Sequence, residues 1–580
     1  MSLKRRFYVV CILALLAALI APAVGNVAMA QDAKVLTLNL GAGDIPTLDP
    51  ALAEDSTSIQ ITTMQHFPII RDTEDNPGNI MPGVAEKRGA SEDGLTWTFT
   101  VRQGLPWVMW DGSAVVEVKD DAGAVKYVTA NDLEYSIKRL LDPRTASPYA
   151  YVFIDSLGIV GSGEFNSFTA PEGKDFSDPA VAEELAKLSD AVAVKALDEY
   201  TLEVKIAQEL SYAESIFSMW NLAAVPQAAI EEHGDKWTEP GNMMSYGPYV
   251  ASEWKHDESL TMVANPFWPG IENSPKPTIT QITFLMLDET PAFNNYEAGT
   301  LDATGVPSTE LDRVKADPVL SKELLIAPLF CTYVYGFNVT KAPLDNVHMR
   351  RALSYAVNRQ SIVDNVLKGG QEPARWFSRP GLVAAPTMAD SAETGIGYDV
   401  DKAKAELELY LKDTGLTADA IPPITFMTNQ SEGHIRIAEA IQSMWKETLG
   451  VSIEITAQEW QVFLQTRKTD PPQIWRFGWC QDYPDANNFA RDVFRSTSSQ
   501  NDTRWGSEAF DKLVDEAALE TDLAKRLDLY RQAENILVLE DAAVIPIYWY
   551  TRVGVTKPYV TRTFAVGAGD ERYEKWDINK

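Results

Sequence analysis

Polar and apolar residues alternate in several short stretches of this chain. The alternation covers residues 35–40, 96–101 and 201–206, and it is typical of strands with one buried face. Residues 282–287 and 544–550 predict further strands. The stretches are spread along the whole chain, so the predicted strands are not confined to one half.

Apolar residues recur at helical spacing mainly in the second half. Helices are expected over residues 433–449, 347–367 and about 523–537, and Asn131 is the expected N-cap of a helix that runs through Leu140. The clearest apolar stripe belongs to the first of these helices and consists of Ile435, Ala438, Ile441, Trp445 and Leu449. Helices that alternate with strands predict an α/β protein with mixed or parallel sheets and helical layers.

One predicted strand carries opposite charges in an unusual place. Residues 474–479 are largely aromatic and apolar, yet Arg476 lies inside this run and Asp482 lies just past its end. A charge is costly to bury unless a partner compensates it. The pattern indicates a site for a zwitterion, with an ammonium at Asp482 and a carboxylate at Arg476 or Arg467. The alternative is that these charges pair with groups of the protein itself.

The first thirty residues have the organisation of a secretory signal. Lys4, Arg5 and Arg6 precede an apolar run over residues 7–24, and Ala28-Met29-Ala30 predicts cleavage after Ala30. A retained membrane anchor is the alternative, since the apolar run approaches spanning length. The remainder, about 550 residues, is long enough to require more than one hydrophobic core.

Charge and motif content narrow the functional classes. The chain has 51 basic and 82 acidic residues and a net charge of −31, which argues against binding to nucleic acid or anionic membranes. The histidines are scattered, and no protease, P-loop or dinucleotide motif is present, which favours a binding protein over an enzyme. Outside the signal, the cysteines are Cys331 and Cys480, which form either a disulfide or two free thiols.

An ordered series of short motifs resembles the extracytoplasmic solute-binding proteins of peptide, nickel and related ABC importers. The series includes Leu48-Asp49-Pro50, Tyr246-Gly247-Pro248-Tyr249, Asn265-Pro266-Phe267-Trp268, Arg350-Arg351-Ala352-Leu353 and Ile545-Pro546-Ile547-Tyr548. Phe330-Cys331-Thr332-Tyr333 and Gly478-Trp479-Cys480-Gln481-Asp482-Tyr483 are similar to the oligopeptide-binding branch in particular.

The resemblance implies a periplasmic-binding-protein-like fold of type II, in which three domains form two lobes around a hinge. Lobe 1 would combine residues 31–66, 207–330 and 549–580. An extra domain over residues 67–206 would be attached to it, and lobe 2 would span residues 331–548. The lobes would close over an oligopeptide, and the protein would deliver it to ABC transporter permease subunits as a monomer without a cofactor, in the periplasm or at the outer face of the cytoplasmic membrane.

The resemblance also assigns roles to single residues. Asp482 would bind the peptide α-ammonium, and Arg476, Arg467 and His434 would lie at the carboxylate end. The strand around Gly478 and Cys480 would pair with the peptide backbone, and a disulfide would join Cys331 to Cys480. The remaining expected contacts are Glu54, Tyr149, Trp460 and Trp479.

Two departures from the branch affect these expectations. A further basic residue of the branch falls on Leu367, with Lys368 beside it, and residues 114–127 form an acidic insertion without a counterpart. A different solute on the same fold (a dipeptide, sugar, opine or metal chelate) is an alternative. An exported peptide chaperone or hydrolase is a further one.

Overall fold

A computed structural model describes residues 33–73, 78–564, 567 and 569–580 of the chain. The predicted signal and its cleavage site after Ala30 lie outside these residues. Among the described residues, no helix combines the length and the apolar character needed to cross a membrane. The description below concerns residues 35–580, which form one compact unit.

Strands occur along the whole described chain and differ greatly in length. They are β1 (Val35–Asn39), β2 (Ile70–Asp72), β3 (Ile80–Pro82), β4 (Ala85–Ala90), β5 (Thr96–Val101), β6 (Val108–Trp110), β7 (Val115–Glu117), β8 (Val194–Asp198), β9 (Thr201–Lys205), β10 (Met244–Ser245), β11 (Tyr249–Lys255), β12 (Ser259–Ala264), β13 (Gln281–Leu285), β14 (Ala303–Gly305), β15 (Leu324–Phe337), β16 (Glu372–Pro373), β17 (Ile424–Asn429), β18 (Ile453–Gln458), β19 (Ile474–Cys480), β20 (Val544–Thr556), β21 (Val560–Thr561) and β22 (Asp577–Ile578).

The helices concentrate between residues 347 and 535. They are α1 (Ser56–Gln65), α2 (Ala130–Leu141), α3 (Ser162–Asn166), α4 (Pro179–Ala191), α5 (Ala213–Ile216), α6 (Gln227–His233), α7 (Glu289–Glu297), α8 (Leu311–Ala316), α9 (Leu320–Glu323), α10 (Val347–Tyr355), α11 (Arg359–Ser361), α12 (Val400–Thr414), α13 (Glu432–Leu449), α14 (Trp460–Thr469), α15 (Ala486–Phe494), α16 (Glu508–Leu519) and α17 (Leu523–Asn535).

Three sheets carry most of the strands in the described part of the chain. A four-stranded sheet has the order β1-β13-β12-β11, a second one the order β4-β5-β9-β8, and a seven-stranded sheet the order β14-β20-β15-β19-β17-β18 with β16 against β20. Strands β1 and β13, and likewise β17 and β18, run parallel, while β15 is antiparallel to both of its neighbours. The predicted α/β class with mixed sheets is confirmed.

The hydrophobic cores follow these sheets. One core packs Leu36, Phe284 and Trp576 around the first four-stranded sheet, and another gathers residues between 51 and 268 around the second. On the seven-stranded sheet, alternate side chains of β15 enter opposite cores: Tyr333 lies in one and Val334 in the other. The period of two along the strand thus divides this sheet between two helical layers.

Two long strands, β15 and β20, connect the regions of these cores. The first residues of β15 pair with the end of β20, and the last residues of β15 pair with its beginning. The pairing register shifts between Pro328 and Thr332, so the ladder is interrupted near the middle of both strands. A local interruption of this kind is a natural place for bending.

Several predicted elements begin or end elsewhere than the sequence indicated. The helix expected over 347–367 ends as α10 at Tyr355, and the Asn358 side chain caps a new turn at Arg359. Thr129, not Asn131, precedes α2, because its backbone N–H and its hydroxyl both donate to the Asp132 carboxylate. The 114–127 insertion forms a largely exposed hairpin that includes β7.

Cys331 and Cys480 form a disulfide between the paired strands β15 and β19. The sequence alone allowed either a disulfide or two free thiols, and the structure confirms the disulfide. It closes a loop with a sequence separation of 149 residues. In the chain-entropy model, a loop of this size stabilises the folded state by about 5 kcal/mol.

We expect residues 31–580, unfolded without reductant, to give no free thiol with Ellman's reagent. After reduction, two thiols should react, and the free energy of unfolding should fall by about 5 kcal/mol in the chain-entropy model. Thermal or denaturant unfolding of the oxidised and reduced protein measures the difference. Two reactive thiols before reduction would contradict the bond.

Candidate functional site

A cavity of about 830 Å³ lies between the seven-stranded sheet and the N-terminal sheets. It brings together all the side chains that the sequence singled out. Its lining includes Glu54, Tyr149, Cys331, His434, Trp460, Arg467, Arg476, Gly478, Trp479, Cys480 and Asp482. Its size is within the range of ligand cavities, about 300–1,000 Å³.

Asp482 lies two residues past the end of β19, and its carboxylate faces the cavity. The Tyr149 hydroxyl donates to Oδ1 over 3.2 Å, and Asn488 Nδ2 donates to Oδ2 over 2.8 Å. Within the described residues, no cationic group lies within 4.0 Å of this carboxylate. Burial raises the pKa of Asp482 to about 7, although the hydrogen bond from Asn488 opposes the shift.

Asn488 fixes the position of Asp482 and was missed in the sequence. Its Oδ1 accepts hydrogen bonds from the backbone N–H of Asp482 over 2.9 Å and from Trp479 Nε1 over 3.2 Å. Its Nδ2 also lies 3.3 Å from Asp492 Oδ2, so one amide joins two carboxylates. The sequence signal that could have found Asn488 is Asp485, the N-cap residue of α15. A helix that begins there places Asn488 in its first turn, close to the end of β19.

Arg476 is the cationic counterpart of Asp482 in the lining. Its guanidinium carbon lies 5.6 Å from the ring centre of Trp460, 5.8 Å from that of Tyr333 and 5.9 Å from that of Phe463. No carboxylate of the described residues lies within 4.0 Å of it. Aromatic faces attract a cation, but they leave its N–H donors unused.

His434 forms a hydrogen bond with Arg476 and is not a second cation of the cavity. Arg476 Nη2 lies 2.6 Å from His434 Nε2. Burial, together with the charges of Arg476 and Arg436, lowers the pKa of His434 well below its ordinary value. The imidazole is therefore neutral near pH 7, and its Nε2 accepts a hydrogen bond from the guanidinium.

The other arginines of the lining are already paired with carboxylates. Arg467 Nε lies 2.7 Å from Asp502 Oδ2, where both side chains are nearly buried. The remaining pairs are Arg71–Glu574, Arg436–Glu289, Arg552–Glu571 and Arg572–Asp72. Within the described lining, Arg476 is thus the arginine that is left without a carboxylate.

Two further sequence expectations concern charged neighbours of the cavity. Glu54, an expected ligand contact, forms an ion pair with Lys468 rather than with Arg476. Leu367 does lie in the lining, whereas the ammonium of Lys368 pairs with Asp312, 2.5 Å away. At this position the cavity therefore has an apolar wall in place of a cation.

In the part of the chain that the structure describes, no strand pairs with one edge of β19 where this strand borders the cavity. Strand β17 pairs only with Ile474 and Trp475. The opposite edge of β19 pairs with β15, where the N–H of Gln481 donates to the carbonyl of Phe330 over 3.0 Å. Hydrogen-bonded and non-hydrogen-bonded pairs alternate along an antiparallel ladder, so the next pair, Cys331 and Cys480, is a non-hydrogen-bonded pair. The N–H and C=O of Cys480, and by alternation those of Gly478, point away from β15 towards the free edge.

Contacts at and beside the cavity also join its two sides directly. Tyr149 bonds Asp482, Ser156 Oγ donates to Asp492, and the rings of Tyr212 and Tyr483 stack with centres 5.6 Å apart. In each case a residue before position 331 meets one after it. The cavity is therefore enclosed by contacts that join the N-terminal half to the seven-stranded sheet and its helices.

Replacement of Asp482 by Asn should stabilise the ligand-free protein above neutral pH. The folded protein keeps a proton on Asp482 up to about pH 7, whereas an unfolded aspartate releases it near pH 4. Stability therefore falls as pH rises through this window, and the amide removes the penalty, on the order of 4 kcal/mol.

Thermal unfolding of wild type and Asp482→Asn at about pH 8 and about pH 4.5 measures this effect. The advantage of the variant should be present at the higher pH and nearly absent at the lower one. An equal difference at both values, or a less stable variant at the higher pH, would contradict the account.

Comparison with known proteins identifies the family. The model of the bacterial extracellular solute-binding proteins, family 5, matches residues 79–501. The chain is 32% identical to the periplasmic oligopeptide-binding protein OppA of Escherichia coli over 558 residues, which cover 94% of this chain and 93% of that protein.

Solved structures show the same architecture. The Escherichia coli murein tripeptide-binding protein MppA matches with a TM-score of 0.80 at 28% identity, over 95% of this chain and 99% of that one. Its unliganded open form gives only 0.60, with 94% and 98% covered at the same identity. OppA of Haemophilus influenzae, in complex with RPPGFSPFR, matches with 0.79 at 25% identity, over 95% and 99%. The chain belongs to the bacterial extracellular solute-binding proteins of family 5.

Proposed function

We propose that this protein captures oligopeptides outside the cytoplasmic membrane and delivers them to the permease of an ABC importer. The observation that supports this most directly is a pair of uncompensated groups in the cavity: among the described residues, Asp482 has no cationic partner and Arg476 has no carboxylate partner. A peptide has an ammonium and a carboxylate at its two ends, and these groups supply the missing partners. The OppA relatives are named as oligopeptide-binding proteins, and one of them was solved with a bound peptide, which supports this ligand class.

The free edge of β19 explains how such a ligand would be held between its ends. The backbone groups of Gly478 and Cys480 are available to pair with an extended peptide, as in strand addition. Such bonds involve only the peptide main chain, so they give affinity without selecting a side-chain sequence. Arg476 and Asp482 are six positions apart along the chain, a span of at most about 21 Å, which fits a ligand of several residues.

The lobe organisation belongs to the same proposal. We place the second lobe at residues 331–548, the first at 31–66, 207–330 and 549–580, and an extra domain at 67–206. The register break in β15 and β20 lies close to the boundaries at 330 and 548. Bending there would open the cavity for peptide entry, and closure would exclude water and strengthen the polar contacts.

Location and assembly follow from the family and the relatives. The E. coli relative is named as a periplasmic protein, which supports export of this chain with cleavage after Ala30. We propose that it works as a monomer, with the permease as its protein partner. We also propose binding without turnover: the peptide leaves intact, and release of cleaved product by the purified protein would refute this part.

Asp482→Asn should weaken peptide binding by about 2–5 kcal/mol, because the ligand ammonium would lie buried without its counter-charge. Wild-type affinity should also fall by about an order of magnitude between about pH 7.5 and about pH 5.5, since the ligand requires the ionised carboxylate. The variant should lose this pH dependence. Isothermal titration with a mixed-sequence tripeptide measures both effects.

N-acetylation of the peptide supplies the matched control. Acetylation should abolish the difference between wild type and Asp482→Asn, because it removes the ammonium that the carboxylate recognises. An acetylated peptide that binds wild type as well as the free peptide does would remove Asp482 from the site.

Arg476→Gln should weaken binding of a free-acid peptide by about 2–5 kcal/mol and should leave binding of the C-terminal amide nearly unchanged. Among the arginines of the described lining, Arg476 is the one whose guanidinium is free to grip a carboxylate in bidentate geometry. Arg467→Gln is the comparison, since Arg467 is paired with Asp502, and its effect should be smaller. Equal losses for acid and amide peptides in Arg476→Gln would contradict the assignment.

A further inference from the structure

The first residue of α7, Glu289, crosses the cavity wall to the beginning of α13. Glu289 Oε2 lies 2.8 Å from Arg436 Nη2, and Oε1 accepts from the backbone N–H of Gly433 over 3.1 Å and from the Ser431 hydroxyl over 3.2 Å. One carboxylate thus takes three donors from a single helix N-terminus. Glu289, Ser431, Gly433 and Arg436 all belong to the cavity lining.

These donors form a carboxylate-binding position that the protein fills itself. The N–H groups of a helix N-terminus attract anions, and an arginine beside them adds a charge-assisted hydrogen bond. Helix α13 is 18 residues long, and Ser431 is its N-cap. The occupant, a glutamate side chain, presents the same functional group as the C-terminus of a peptide.

This position lies next to the proposed carboxylate end of the ligand. His434 follows Gly433 in α13, and its Nε2 accepts from Arg476. A ligand that extended past Arg476 along this wall would meet Glu289, while Leu367, elsewhere in the lining, offers no charge. A longer peptide would therefore have to displace Glu289 from Arg436 or hold two carboxylates at one arginine, and like charges repel.

We propose that Glu289 is a specificity-determining residue that restricts peptide length, because it occupies the second carboxylate position of the cavity. This inference rests on the proposed peptide-binding function. Wild-type affinity should peak at the length whose carboxylate reaches Arg476 and should fall for longer peptides. Removal of the negative charge at residue 289 should release Arg436 and the α13 N-terminus to longer ligands.

The test is a length series of alanine peptides, from the dipeptide to the hexapeptide, measured by isothermal titration. Four proteins are compared: wild type, Glu289→Gln, Thr290→Val, and the double variant Glu289→Gln with Arg436→Gln. The Thr290 hydroxyl donates to Glu432 across the same junction, so Thr290→Val breaks a neighbouring contact but leaves the carboxylate position filled. It therefore controls for simple loosening of the closed cavity.

Glu289→Gln should raise the affinity for peptides longer than the wild-type optimum by about tenfold relative to the optimum length, as expected for one charge-assisted bond. Thr290→Val should keep the wild-type length profile, and the double variant should lose the gain. The gain should also vanish for C-terminal amides.

The outcomes separate the two proposals. A wild-type protein that binds no peptide of any length would overturn the peptide-binding function and this inference with it. A wild-type protein that binds peptides, but whose length profile is the same in Glu289→Gln, would overturn the inference alone. A uniform loss of affinity at all lengths in Glu289→Gln would equally overturn it. Glu289 would then stabilise the closed cavity without selecting peptides by length.

Discussion

Asp482 and Arg476 place an acidic and a basic side chain in one enclosed cavity, and neither has an oppositely charged partner among the described residues. Both are held firmly: Asp482 by Asn488 and Tyr149, and Arg476 by His434 and three aromatic rings. Charges that stabilised only the fold would be expected to pair with each other or with neighbours, as Arg467 and Glu54 do. The raised pKa of Asp482 shows that the ligand-free fold bears a penalty at this position.

The surrounding structure makes this arrangement possible. The disulfide joins β19 to β15 beside the cavity, and β17 stops pairing after Trp475, so the exposed edge of β19 is held in a fixed position. The neutral imidazole of His434 orients a guanidinium without neutralising it. The contacts between Tyr149 and Asp482 and between Ser156 and Asp492 connect the two walls, so a ligand and the enclosing walls stabilise the same conformation.

Much of the strand and of the candidate site could be predicted from the sequence, because the patterns that indicate them lie within short segments of the chain. The apolar run around Arg476 predicts the strand, and its charge pattern indicated the zwitterion site. The resemblance to a family supplied the pairing of the cysteines. The break after Tyr355 and the cap at Thr129 depend on side-chain hydrogen bonds that compete with helical periodicity.

Contacts between different elements of the structure could not be predicted from the sequence. The position of Asn488 under Asp482 depends on how α15 turns back on β19, and the bond between Glu289 and α13 joins residues more than a hundred positions apart. The ion pair of Glu54 with Lys468 likewise joins the N-terminal part of the chain to α14. The residue types in the sequence indicate which side chains could bind a ligand, whereas the partner of each side chain is decided by the tertiary structure.

A high-resolution crystal structure of the protein with a bound tripeptide tests the central claim most directly. The account predicts the peptide α-ammonium within hydrogen-bond distance of the Asp482 carboxylate, about 2.8 Å, and the peptide carboxylate on the Arg476 guanidinium. It would be contradicted if Asp482 bonded only to Tyr149 and Asn488 while the ammonium lay elsewhere in the cavity.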